Sequence, residues 1–248
     1  MNIAHIPYQI DPTKSRAHYY EELWKDTALN LLLRENSDLK GWKHLDFGCG
    51  RGETMRRTRD LGMEACGTDT DPECVQLSSA FGNAVILNTD DVLGQFGEKS
   101  FDLVTCFHVL EHVPNPKETL SVLSKIARKH VLVAVPNLSA FHDLLRRNTH
   151  WDCTVNEGHL QSWDHSHFRN LAERHCGLRI LAWGFDTVLI PPFSLIAEKL
   201  FGNKAAIKLE TGIFKRMFPF ASLSVIALME PIDGFIDPAV SEITSHES

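Results

Sequence analysis

Residues Leu45–Gly52 read LDFGCGRG, and the reading of this stretch decides the fold. A short apolar run leads into it, and ETMRRTRDLG, with the composition of a helix, follows from Glu53. The order is strand, tight glycine turn, helix start. Gly48, Gly50 and Gly52 leave the turn without Cβ atoms, so a ligand can approach the backbone and φ can become positive. The first N–H groups of the helix then face whatever the turn holds. A dinucleotide fingerprint needs G-x-G-x-x-G. Counting from Gly48 puts Glu53 at the third glycine's place, and the pattern is instead D-x-G-x-G-x-G from Asp46. A carboxylate at the strand end would repel a pyrophosphate and suits a ligand with an ammonium or sulfonium group.

Outward from this turn the chain alternates strand and helix. Strands are expected near 43–47, 64–68, 84–88, 101–106 and 131–135, with helices near 52–61, 72–81 and 116–129. LRILAWGF after Gly177 reads as a sixth strand and residues 222–230 as a seventh, running antiparallel. The fold class is therefore α/β, a Rossmann-like doubly wound sheet of seven strands, mostly parallel, with helices on both faces. Strand C-termini would line a ligand crevice along one edge. Ahead of the sheet, Ser15–Arg34 carries a helical apolar stripe through Leu23, Trp24, Ala28, Leu31 and Leu32.

The glycine turn closely resembles the first motif of the class I S-adenosylmethionine-dependent methyltransferases of small-molecule type, and later segments extend the match. The resemblance covers Ser15 to about Phe185. It implies S-adenosylmethionine as cofactor, with S-adenosylhomocysteine as product, held by Asp46, Gly48, Cys49, Gly50 and Gly52. Asp69, 21 positions after Gly48 and followed by Thr70, would accept hydrogen bonds from the ribose hydroxyls. Asp71, just before Pro72, reads as a helix N-cap. Asp90 would accept from the adenine amino group, with Asp91 as the alternative, and a solvated turn of carboxylates is the plainer reading. FDLVTCFHVLEHVPNP resembles the family's segment after strand four, where Phe107 and His108 would meet the methionine part of the cofactor and the following side chains the acceptor. In this family a helix before the first strand covers the cofactor site, which would place His18, Tyr19 and Tyr20 over the ligand or in the core.

Methyl transfer from a sulfonium is an in-line displacement, so the protein must align donor and acceptor and exclude water. A hydroxyl acceptor also needs a base. His112, His159 and His108 are the candidates, of a residue type that titrates near neutral pH; a structural hydrogen-bonding role is the alternative for each. Ser139–Ser166 forms a long irregular stretch, and such connections are commonly functional. Its His150, His159, His165, together with His167, Asp152 and Asp164, invite a metal reading, but the spacing fits no zinc pattern and no metal is expected.

With 25 basic and 32 acidic residues among 248, the net charge of −7 argues against nucleic acid as the main partner. The basic cluster Lys125, Arg128 and Lys129 reads as a helix C-terminus. Six scattered cysteines without a C-x-x-C pair read as free thiols in a reducing compartment. No signal peptide or membrane span is apparent, and a cytoplasmic location is expected. The chain divides into a helical cap (1–40), a cofactor-binding core (41–186), an insertion or lid (187–220), and a last strand with a loose tail (221–248). The insertion carries two amphipathic pieces, Ser194–Phe201 and Ala205–Phe218, read as core packing or a lid. A peripheral membrane contact, a hydrophobic acceptor or a dimer contact are alternatives. The expected partner is a small-molecule acceptor, a sugar, lipid-linked compound or natural product methylated on O or N, with the protein a monomer or homodimer. The competing reading is a non-catalytic S-adenosylmethionine-binding subunit or sensor; the intact glycines, Asp69 and the HVLEH turn favour the enzyme.

Overall fold

The computed structural model describes residues 16–141, 144 and 158–238. In chain order it contains α1 (Arg16–Glu35), β1 (Lys43–Phe47), α2 (Glu53–Asp60), β2 (Glu64–Asp69), α3 (Pro72–Ser78) and β3 (Asn83–Ile86). These are followed by α4 (Thr89–Phe96), β4 (Phe101–Phe107), α5 (Pro116–Ile126), β5 (Ala127–Pro136), α6 (His165–His175) and β6 (Leu178–Gly184). Helices α7 (Pro191–Phe201) and α8 (Asn203–Lys208), a π-helical turn (Leu209–Phe214) and the short α9 (Lys215–Met217) lead to β7 (Ser224–Pro231). The sheet order is β3-β2-β1-β4-β5-β7-β6. All pairs are parallel except those of β7, which runs antiparallel to both β5 and β6. The seven-stranded doubly wound sheet read from the sequence is thus the fold observed.

Strand periodicity sorts the core into two layers. Val131, Val133 and Val135 of β5 point to one face and Leu132 and Ala134 to the other, as alternation of side chains requires. The first face is closed by Val92 of α4, Leu120 and Leu123 of α5, and Phe168 of α6. The second is closed by Ala28, Leu31 and Leu32 of α1. Helix α1 therefore earns its place as a structural layer, and the apolar stripe that marked it in the sequence is its buried face.

Two sequence expectations are corrected. TDDVLGQF, for which a solvated turn of carboxylates is the alternative reading and no helix is expected, is helix α4. Asn88 caps it, its side chain accepting from the amides of Asp90 (3.0 Å) and Asp91 (3.3 Å), and the two aspartates complement the N-terminal dipole. The basic pair Arg128 and Lys129 does not end a helix, because α5 stops at Ile126. Both residues begin β5 and pair with Asp102 on β4, Arg128 Nη2 at 2.7 Å and Lys129 Nζ at 3.2 Å. Their charge answers a nearly buried carboxylate across the ladder. Lys125 alone lies in the last helical turn. Asp71, by contrast, is the N-cap of α3, accepting from the Glu73 amide at 2.9 Å, with Pro72 in the first turn.

Candidate active site

The glycine turn takes the backbone shape that its composition allows. Gly48, Gly50 and Gly52 have φ of 73°, 49° and 80°. A Cβ on Gly48 would sit 2.2 Å from Val109 Cγ2, so glycine is also needed for the close approach of the segment after β4. The amides of Gly48 and Cys49 donate to the Thr68 carbonyl at 2.8 and 2.9 Å, which ties the turn to the end of β2. Asp69 completes the tie, one carboxylate oxygen accepting from the Gly50 amide (2.8 Å) and the other from Asp71 (3.0 Å). Each oxygen keeps a second lone pair for a ligand hydroxyl.

A cavity of about 690 Å³ opens at the C-terminal ends of β1, β2 and β4. Of the residues singled out in the sequence, Gly48, Asp69, Thr70, Asp90, His108 and His112 line it. Gly50, Gly52, Cys49, Asp91, Phe107 and His159 do not. Cys49 is buried, and burial pushes its thiol up to about 12, so it serves packing and the turn's backbone. Phe107 packs edge-on against Trp24 of α1, with ring centroids 5.2 Å apart. Leu87, Asn88 and Thr89 ahead of α4, and Glu118 and Thr119 on α5, are lining residues that the sequence reading missed. The Asn-capped start of α4 was the available signal for the first group.

Asp46 lies behind the cavity, 2% exposed, and accepts from Thr105 Oγ1 at 2.6 Å. Thr105 in turn meets His44 Nε2 (2.7 Å), and His44 Nδ1 meets Thr58 Oγ1 (2.8 Å), giving a buried polar chain from β1 through β4 to α2. With Thr105 donating to Asp46, His44 holds its proton on Nε2 and accepts at Nδ1. Burial raises Asp46 to about 7 and lowers His44 to about 3.

The turn after β4 carries His108, Glu111 and His112. His108 adopts φ 55° and donates its amide to the Ala134 carbonyl at 2.8 Å. Its Nδ1 meets Glu111 Oε1 at 3.1 Å, and its ring lies edge-on to Trp24 at 4.6 Å. Glu111 is 1% exposed and its Oε2 has no hydrogen-bond partner. His112 Nδ1 donates to the Gly158 carbonyl (2.8 Å), which leaves Nε2 as a proton acceptor. His159 packs edge-on to His112 at 5.0 Å. Ligand-type atoms of Glu111, His112 and His159 fall within 4.8 Å of one another, close enough for the three to share a metal ion.

Among the described residues, His159, His165 and His167 are not brought together. His150 and Asp152 lie outside the described residues. His167 pairs with Asp164 (2.9 Å), which caps α6, while His165 is buried among Trp183, Phe185 and Phe220. Of His18, Tyr19 and Tyr20, read as lying over the ligand or in the core, Tyr20 packs against Leu23 and Ile207 and donates to Glu210, and the side chains of His18 and Tyr19 lie outside the described residues.

A family model described as a methyltransferase domain matches residues 16–182, well over half of the chain. The chain belongs to the methyltransferase-domain family. This methyltransferase is 28% identical over 126 residues to the ubiquinone biosynthesis O-methyltransferase of Photobacterium profundum, a match covering 48% of the chain and 51% of that enzyme. It is 26% identical over 160 residues to the enzyme of the same name from Hahella chejuensis, covering 56% and 67%. It spans about half to two thirds of the length of these curated relatives. In fold it is similar to magnesium protoporphyrin IX methyltransferase from Synechocystis PCC 6803 with bound S-adenosylhomocysteine, at a TM-score of 0.60 and 15% identity over 91% of this chain and 90% of that one.

The methyltransferase's cofactor is S-adenosylmethionine. The cavity fits it: the volume lies within the usual range for such ligands, and carboxylate, amide and hydroxyl groups converge on otherwise apolar walls from Leu87, Val109 and Val113. When bound, the cofactor supplies an activated methyl group on a sulfonium. Among the described residues, no helix is long and apolar enough to cross a membrane.

Proposed function

We propose that this methyltransferase moves the methyl group to an oxygen or nitrogen of a small-molecule acceptor. Asp69 would hold the ribose hydroxyls, Asp90 the adenine amino group, and the Gly48–Gly52 turn the amino-acid end beside His108. The acceptor would enter beside the turn after β4. The observation that carries this reading is the hydrogen bond from His112 Nδ1 to the Gly158 carbonyl, because it leaves Nε2 free to take an acceptor proton at the cavity wall. Glu111 orients His108 from below, and His159 abuts His112 as a second base or relay. The ubiquinone biosynthesis O-methyltransferases among the relatives favour oxygen as the methylated atom.

The test separates binding from turnover. His112→Ala should leave S-adenosylmethionine affinity by calorimetry close to wild type. Transfer to a hydroxyl acceptor should slow by about 10²- to 10⁴-fold, the usual size of a general-base contribution. A large loss of cofactor affinity instead would move His112 out of the acceptor site.

A further inference from the structure

Helix α7 is inside out. Of its eleven residues only Ser194 is buried, while Phe193, Leu195, Ile196, Leu200 and Phe201 are exposed, Leu200 by 67% and Phe201 by 74%. Helical spacing stacks Phe193, Ile196 and Leu200 on one face; the Phe193 ring meets buried Phe214 edge-on at 6.2 Å, yet all three side chains stay more than half exposed. Ile213, Met217 and Phe220 add further exposed apolar side chains in the rest of the insertion. A soluble surface helix has the opposite polarity, and apolar surface gathered in this way marks an interaction site.

Charge identifies the occupant. Residues 191–220 hold five basic side chains and two acidic ones in a chain of net charge −7. Lys199, Lys204, Lys208 and Arg216 are exposed. Of the acids, Glu210 is buried and bonded to Tyr20, and Glu198 is half-buried. Exposed aromatic and aliphatic side chains interleaved with lysine are the composition of a helix lying in a bilayer interface, where the apolar groups enter the acyl boundary and the cations meet anionic headgroups. We infer that α7, with the exposed apolar and basic residues of 204–220, docks this methyltransferase onto an anionic lipid surface. The inference is independent of the reaction catalysed.

Co-sedimentation of the full chain with phosphatidylcholine vesicles, with and without phosphatidylglycerol, tests it. The protein should partition onto the vesicles containing phosphatidylglycerol and leave them at high salt. The double variant Leu200→Glu with Phe201→Glu should weaken partition about tenfold or more, since it replaces the inserted groups with charge. Lys204→Glu with Lys208→Glu, which leaves the apolar face intact, should also weaken it about tenfold on anionic vesicles. All four positions are exposed, so thermal unfolding should match wild type. No partition onto anionic vesicles, or partition that neither double variant reduces, would overturn the inference. A dimer seen by light scattering in vesicle-free buffer, and dissociated by Leu200→Glu, would assign the face to a second copy and overturn it equally.

Discussion

At the scale of single residues, Asp69 has two duties that pull on the same carboxylate. It closes the glycine turn through the Gly50 amide and faces the cavity. Asp69→Ala should weaken S-adenosylmethionine binding by about 1–3 kcal/mol, as expected when a charged acceptor is lost, and calorimetry reads this directly. Asp46 and His44 make a separate, pH-dependent prediction. Asp46 has a folded pKa of about 7 against an ordinary 3.8, so the folded state binds the extra proton and this group's contribution to stability falls as pH rises through that window. His44 has a folded pKa of about 3 against 6.5, so the unfolded state binds the extra proton and stability falls as pH drops through its window. From about pH 4 to 6.5 the two slopes oppose each other. Asp46→Asn should remove the first and leave the second, so melting temperature should decline more steeply on acidification than in wild type. At pH 7 and above the variant should gain relative to wild type, because it no longer buries a charge.

At the scale of elements, most of the fold was legible because periodicity and caps act locally. The strand, glycine turn and helix around Leu45–Gly52, the Asp71 cap and the apolar stripe of α1 are each specified within a few neighbouring residues. Helix α4 was hidden because Gly94 interrupts it and two adjacent aspartates mimic a loop, while the decisive capping bond belongs to Asn88. Asn88→Ala should cost about 1 kcal/mol, seen as a lower melting temperature, because two first-turn amides lose their acceptor. Arg128 and Lys129 misled for a different reason: nothing near them in sequence reveals that Asp102 waits across the β4–β5 ladder. The cavity follows the same division. Gly48, Asp69 and His112 follow from motifs, whereas Glu118 and Thr119 face it from a helix whose orientation depends on the completed sheet.

At the scale of the whole molecule, α1 joins the insertion to the active site. Tyr20 bonds to Glu210 and Leu23 packs with Ile207 at one side, while Trp24 touches Phe107 and His108 at the other. Tyr20→Phe removes a hydroxyl donor from a fully buried carboxylate and should cost about 1–3 kcal/mol in chemical denaturation. Limited proteolysis should then cut the insertion faster than in wild type.

The close approach of Val109 to Gly48 also bears on the order of folding. The glycine turn, although local in sequence, reaches its final shape against a residue about 60 positions later, and β1 finds its central place only when β4 lies beside it. On a ribosome, cofactor capture must therefore wait for synthesis of the chain through β4 and the turn beyond it, and the nascent βαβ segment alone would emerge with an unfinished cradle.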